Sequence, residues 1–509
     1  MKKKINHILP ALVLTASLGL TTVSCNGFLD EMPDNRTELN TDQKIAKLLV
    51  SAYADVSPNE LFELYSDNSD DSGPTYGYYK LSEQECYHWQ DTKEEYQDTP
   101  NSLWGGYYSA IAAANMALNA IEEKGNPASL DPQRGEALVC RAYCHFMLAN
   151  IFCNAYDTHA SQSLGVPYME EVETTVSPRY ERGTLEEVYR KVERDLLEGI
   201  DLISDDSYSV PKYHFTRKAA YAFAARFYLY YMKPDFSNCD RVIDFATRVL
   251  GTNPADLLRN WEALGNLSVN GNVQADAYIA SSNEANLLIS STVSNWGAIG
   301  SDYLIGPRYF HNQTLATSET CLSSGLWGSS DYFYLKPFST NGFVASILRK
   351  SGLYEGTYLY YMPVLFSTDE TLLCRAEAYA LKKMYAQSAA DITSWQRAYT
   401  RNKSVLTPEQ INTYYDRMSF YTPFTQQTPK KKLAPDFMIE EGMQENFIHC
   451  ILHIRRITTL HEGMRWPDIK RYGILIYRRD MANQRVTDEM PPNDLRYAIQ
   501  IPRSVIVAG

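Results

Sequence analysis

Cysteine 25 ends a short N-terminal block in which Lys2, Lys3 and Lys4 precede an apolar run from Ile8 to Val23 and then Thr22-Val23-Ser24-Cys25. A basic head, an apolar stretch of signal length and small residues before the break form an export signal rather than a spanning helix. A thiol at the cleavage position is an acceptor for lipid. Acylated Cys25 then becomes the mature N-terminus, and acyl chains replace a transmembrane segment as the anchor. The expected division is a signal over 1–24, a lipidated tether over 25–40 and a single folded domain over 41–509.

Other residues with chemical potential do not assemble into a catalytic signature. His449 and His453 stand one helical turn apart, but Cys450-Ile451-Leu452 lies between them, so the zinc-protease HExxH pattern is absent. There is no Gly-x-Ser-x-Gly elbow and no glycine-rich phosphate loop followed by Lys-Ser/Thr. None of the nine cysteines forms a Cys-x-x-Cys pair, so no zinc knuckle is indicated. Disulfides are permitted outside the cytoplasm, yet most of the cysteines other than Cys25 sit in apolar helical context and read as small buried hydrophobes. No metal and no cofactor is implied. The many Asp and Glu residues leave room for a glycosidase carboxylate pair, whose separation a sequence does not give.

The formal charge of −13 becomes −16 once the three N-terminal lysines leave with the signal. Such an acidic chain is a poor ligand for nucleic acid. After Val23 no apolar run is long enough to span a bilayer.

The elements that must position any site are mostly helices. Thr41-Asp42 opens a first helix, with Ile45, Leu48 and Leu49 at helical spacing. Arg134 to Phe152 is apolar almost all round, which requires burial on more than one side. Thr184 and Glu187 form a capping box ahead of Val188, Val192 and Leu196. Arg217 to Met232 carries alanines on one flank and aromatics on the other, and a second helix runs from about Cys239 to Leu250. That pair has the layout of a tetratricopeptide repeat. Thr371 to Trp395 repeats it, and the Arg134 and Thr184 helices make a third pair. The expected fold is mainly α, a tetratricopeptide-repeat-like helical scaffold interrupted by long irregular insertions at about 65–100 and 265–356. Loops of that length inside a compact protein are functional or disordered, and their aromatic content argues for order.

Several segments resemble the SusD/RagB family of outer-membrane lipoproteins. They are Cys25 with Phe28-Leu29-Asp30 and Pro33; Leu103-Trp104 with Tyr107, Ile111, Ala114 and Asn115; and Arg134-Gly135-Glu136-Ala137 with Arg141-Ala142-Tyr143 and Phe146. Further on come Leu373-Cys374-Arg375-Ala376-Glu377-Ala378-Tyr379, Glu462-Gly463-Met464-Arg465-Trp466-Pro467-Asp468-Ile469-Lys470-Arg471-Tyr472-Gly473, and a closing Ile501-Pro502. Met464 and Pro467 depart from the family's usual His and Phe. Within these motifs, Arg375, Glu377 and an Arg465–Asp468 pair suit ion pairs that dock the C-terminal block onto the repeats.

The resemblance implies a non-enzymatic lipoprotein that captures a glycan and delivers it to a partner SusC-like TonB-dependent outer-membrane transporter, with the membrane reached only through the N-terminal lipid. The same family includes peptide-capturing members, and a lipid-anchored glycoside hydrolase is a more distant alternative. Sugar rings present C–H faces that stack on Trp and Tyr, and their hydroxyls bond to Asp, Asn, Gln and Arg. The chain has 38 tyrosines. Trp89, Trp296 and Trp327 all fall in the two insertions, whereas Trp104, Trp261, Trp395 and Trp466 lie in helical or motif segments and read as packing. The glycan site is therefore expected at Trp296 and Trp327, then Trp89, with Tyr303, Tyr309, Asp67 and Asp70 as polar and secondary partners. Tyr76, Tyr78 and Tyr79 stand in reserve.

The anchor is testable directly. Cys25→Ser should abolish incorporation of labelled palmitate and release the protein from the membrane fraction; label still entering the variant would refute the assignment.

Overall fold

The computed structural model describes residues 39–508 apart from 76–78, 175–178, 269–272, 297–307, 323, 336–351, 356–357 and 482. Cys25, Tyr76, Tyr78 and Tyr303 lie outside the described residues. The fold is mainly α-helical, as the sequence implies. Helix α1 (Asp42–Leu49) starts where the Thr41 hydroxyl accepts the Lys44 amide. Short helices α2 (Asn59–Tyr65) and α3 (Leu81–Tyr87) belong to the first insertion and its approach. The long α4 (Pro100–Glu123) leads into α5 (Asp131–Phe152) and α6 (Leu185–Leu202).

Consecutive helices then pair. α5 packs on α6, α7 (Arg217–Tyr230) on α8 (Ser237–Leu250), α9 (Thr368–Leu381) on α10 (Tyr385–Tyr399), and α11 (Pro408–Arg417) on α12 (Met443–Thr458). α9 also packs against α8 and α12, which joins the pairs into one scaffold. From Gly135 to Phe152 every residue of α5 is buried, as its unbroken apolar sequence requires. Its contact with α6 is backbone to backbone: a Cβ on Gly135 would stand 2.7 Å from the Gly199 carbonyl oxygen, and one on Gly199 2.7 Å from that of Gly135. In α7, Ala219, Ala220, Ala222, Ala224 and Ala225 are buried and let neighbours approach, while Phe223, Phe227 and Tyr228 fill the remaining space. The Thr184 capping box forms as expected, with the Glu187 amide donating to its hydroxyl and its own amide donating to the Glu187 carboxylate.

The insertions contain small antiparallel sheets. β1 (Asp70–Asp71) pairs with β4 (Tyr309–Phe310), and β2 (Asn286–Ile289) with β7 (Val364–Ser367). β3 (Thr292–Val293) pairs with β6 (Tyr358–Tyr361), which pairs with β5 (Gly352–Glu355). The second insertion thus leaves and re-enters the scaffold side by side, its closing strand running straight into α9. β8 (Ile476–Asp480) and β9 (Arg485–Met490) form a hairpin after α13 (Arg465–Tyr472). All eight cysteines after Cys25 are buried free thiols. Among the described residues no helix is long and apolar enough to cross a membrane.

Charge fastens the C-terminal block to the repeats. Glu377 of α9 meets Arg455 of α12 at 2.5 Å, pairs with Arg471 of α13 and accepts the Tyr472 hydroxyl at 2.5 Å. Asp468 pairs with the same two arginines, at 3.1 and 2.9 Å. Burial alone would push the Glu377 carboxyl up, but Arg455 and Arg471 outweigh it and hold it down at about 2. The docking role of Glu377 is therefore seen. The expected Arg465–Asp468 pair is not: both cations of the Glu377 cluster already face Asp468, and Arg465 turns instead to Asp67, at 2.7 and 2.8 Å. Glu377→Ala leaves two buried guanidinium groups sharing Asp468 alone, and removing one partner of such a cluster costs about 3–5 kcal/mol. A denaturant midpoint within experimental error of wild type would contradict this account.

Candidate functional site

The nominated residues that the structure describes are all buried, as part of the packed foundation of the insertions. Asp67, just after α2, takes Arg465 and also Lys431 at 2.6 Å. Arg456 of α12 donates to the Asp67 carbonyl at 2.6 Å, to the Asn68 side chain at 2.7 Å and to Glu319 of the second insertion at 2.9 Å. Lys431 reaches Glu319 as well, at 2.8 Å. Burial would raise the Asp67 carboxyl, yet Arg456, Arg465 and Lys431 together keep it well below the usual carboxylate range. Asp70 pairs with Arg479 of β8, but there burial prevails and its carboxyl is raised.

The tryptophans are buried too, which corrects the expectation that loop context exposes them. Trp89 is 5% exposed, donates Nε1–H to the Tyr65 carbonyl at 2.9 Å and lies 4.1 Å from the Arg478 guanidinium. Trp296 is 7% exposed and donates to the His461 carbonyl at 2.9 Å. Trp327 is 1% exposed, wedged against Phe333, Trp395 and His453. Tyr309 is likewise buried, stacked on Tyr87 at 4.6 Å. A long insertion needs an apolar core of its own, and these rings supply it. Of the remaining tryptophans, Trp261, Trp395 and Trp466 pack fully inside as expected, and Trp104 is partly buried against Tyr108 and Phe152.

What stays open is the seam where the two insertions meet. β1 and β4 join them through the register pairs Asp70–Phe310 and Asp71–Tyr309. Beside this ladder Arg308 grips Asp71 through two bonds, at 2.7 and 2.8 Å. Its guanidinium carbon lies 5.0 Å from the centroid of Tyr79 and 5.1 Å from that of Tyr309. Tyr79 is 39% exposed and meets Tyr309 edge-on at 5.8 Å; half-buried His88 meets the same ring at 6.0 Å. The seam therefore offers an open tyrosine face beside a guanidinium held in place by its own carboxylate. That combination supplies an apolar platform together with fixed hydrogen-bond donors. Tyr79 stood among the reserves. Arg308, Asp71 and His88 were missed, although the neighbouring Arg308-Tyr309 dipeptide was a signal.

Residues 27–229 match the SusD-like family described as starch-binding and associating with the outer membrane. In structure the whole chain resembles a SusD superfamily protein from Bacteroides fragilis, with a TM-score of 0.62 and 15% identity over 92% of this chain and 98% of that one. The chain has the SusD-like fold. A SusD-like carbohydrate binding protein from Bacteroides vulgatus gives a TM-score of 0.62 at 14% identity, over 92% of this chain and 96% of that one. A SusD superfamily protein from Bacteroides thetaiotaomicron gives 0.57 at 18% identity, over 91% and 96%. No curated protein matches the sequence. At these identities the structural likeness establishes the fold.

Two buried histidines hold the second insertion in place. His453 makes contacts at 2.8 Å to the Thr320 carbonyl through Nε2 and at 2.9 Å to the Tyr415 hydroxyl through Nδ1. A carbonyl only accepts, so Nε2 carries the hydrogen and Nδ1 accepts from Tyr415. His311 is fixed the opposite way, Nδ1–H donating to the Asn68 carbonyl at 2.9 Å and Nε2 accepting from the Thr320 hydroxyl at 3.0 Å. His145, within α5, donates to the Arg141 carbonyl and accepts the Met169 amide. Burial lowers His453 and His145 to about 3 and His311 to about 4.

The unfolded chain binds these protons near its ordinary value of about 6.5. The unfolded state therefore takes up more protons as the pH falls, and the stability these rings contribute is present above about pH 6.5 and drains away below it. Thermal melts between pH 6.5 and 5 should show falling stability, with a shallower slope in His453→Gln. An unchanged slope in that variant would contradict the assignment.

Proposed function

We propose that this protein is a cell-surface lipoprotein, anchored through acylated Cys25, that captures an oligosaccharide at the Tyr79–Arg308 seam and passes it to a TonB-dependent outer-membrane transporter. The observation that carries the reading is the seam itself. On a SusD-like fold, two insertions of unrelated sequence position converge on one open tyrosine ring, one pinned guanidinium and the half-buried His88. A sugar ring laid on Tyr79 covers its C–H face while its hydroxyls reach Arg308 and His88. Handover to a transporter follows from the resemblance to SusD/RagB lipoproteins and from the outer-membrane association that describes the matched family. Catalysis is not part of the proposal: Asp71 in the seam, and Asp70 and Asp67 beneath it, are each engaged in an ion pair with an arginine.

Glycan and peptide arrays probed with the protein distinguish sugar capture from peptide capture, and retained label on peptides alone would transfer the reading to the peptide-binding branch. A well-placed aromatic contributes about 1 kcal/mol beyond its buried area. Tyr79→Ala should therefore weaken oligosaccharide binding about five- to tenfold while leaving the melting temperature in place, because Tyr79 lies outside the core. Unaltered affinity in that variant would move the site elsewhere, and repeated isolation of the protein alone in mild detergent, from cells fed the bound nutrient, would remove the transporter from the proposal.

A further inference from the structure

Away from the seam, and sharing no residue with it, a cleft of about 460 Å³ opens between the end of α1, the middle of α4, the turn at 211–213 and the start of the second insertion. Its floor is a fixed polar assembly. Glu136 of α5 is buried, and one carboxylate oxygen accepts both the Tyr53 hydroxyl and His214 Nδ1, each at 2.7 Å. The Phe215 amide in turn donates to the Tyr53 hydroxyl at 2.7 Å, which fixes that group's orientation. Because a carboxylate accepts, Nδ1 carries the hydrogen and faces the floor, which leaves Nε2 as the ring atom for a ligand. The imidazole is clamped as well as aligned: Tyr208 stacks on one face at 4.6 Å and the Tyr53 ring meets it edge-on at 5.9 Å. His214 lines the cleft with its side chain 21% exposed, and its Nε2 makes no hydrogen bond to protein among the described residues.

The rest of the lining narrows the ligand. Among the described residues no lysine or arginine lines the cleft, and the one carboxylate that does, Asp55, would repel a phosphate or a carboxylate. Glu136 is engaged within the floor by Tyr53 and His214, and Asp55 is exposed to solvent, where its carboxylate can accept a ligand hydroxyl. The hydroxyls of Ser109 and Ser291 stand at the mouth, each able to donate and to accept. Tyr213, 36% exposed, offers an aromatic face. A volume at the small end of ligand pockets suits one ring rather than a chain.

We propose that this cleft binds one neutral, hexose-sized sugar ring, a hydroxyl of which hydrogen-bonds with His214 Nε2 while others meet Ser109 and Ser291 and the C–H face lies on Tyr213. The protein would then hold sugar at two places, one at the seam and one on the helical scaffold. This goes beyond the capture site proposed above, and the two stand or fall separately.

The test uses the full mature chain with D-glucose, D-galactose and D-mannose as probes, followed by saturation-transfer NMR and by the ¹⁵N resonance of His214 Nε2. At least one hexose should bind saturably and shift that resonance. Ser109→Trp and Ser291→Trp, exposed positions on separate elements, should fill the mouth and weaken binding about tenfold or more, with unchanged melting temperatures. Tyr79→Ala should leave hexose binding in place. The proposal is overturned if no hexose binds saturably, if binding survives both tryptophan variants, or if it is lost in Tyr79→Ala alone. Failure of the seam reading shows separately, as oligosaccharide affinity unaffected by Tyr79→Ala.

Discussion

A carboxylate removed from water must be met by opposite charge, and at Glu377 that demand ties three distant parts of the chain together. The residue is wholly buried on α9, and its partners come from α12 and α13. Taking an ion out of water costs several kcal/mol even after relaxation, so such clusters add little surplus stability. What they fix is geometry. Asp67 repeats the arrangement for the insertions, gathering Arg465, Arg456 and Lys431 around one buried carboxylate. Helix α13 is the bridge between the two clusters. Its Arg465 serves Asp67, and over the turns that follow its Asp468 and Arg471 serve the Glu377 assembly.

This wiring explains how a ladder as short as β1–β4 can hold two long insertions together. Two register pairs alone are marginal in water. Here the ladder lies against Arg479–Asp70 on one side and Arg308–Asp71 on the other, above the Asp67 cluster. The position of the seam is set by ions anchored in helices. Its outer surface, where Tyr79 projects, carries none of that burden.

The helices were legible in the sequence because their signals are local. The Thr184–Glu187 box, the alanine flank of α7 and the all-round apolarity of α5 act within a few residues of where they are read. The site was less legible because exposure is decided at long range. Trp327 sits among Ser and Gly, which suggests an open ring, yet its partners Trp395 and His453 come from α10 and α12. Arg465 and Asp468 suit each other by spacing, yet Arg465 found a carboxylate 398 residues away in sequence. Local pattern identified which residues mattered to the insertions; it did not distinguish the ones that build them from the ones that face outward.

The burial of the tryptophans has an optical consequence. Six of the seven indoles are enclosed and the seventh, Trp104, is partly covered, so the intrinsic emission of the folded protein arises from rings that solvent hardly touches. Such emission lies toward short wavelengths and moves to longer ones only when the surrounding core opens. Fluorescence is thus a sensitive gauge of this protein's unfolding and a nearly blind one for events at the seam, where the exposed chromophore is a tyrosine. A flat quenching curve on adding sugar would be the optical signature of packing, not of a protein without a ligand.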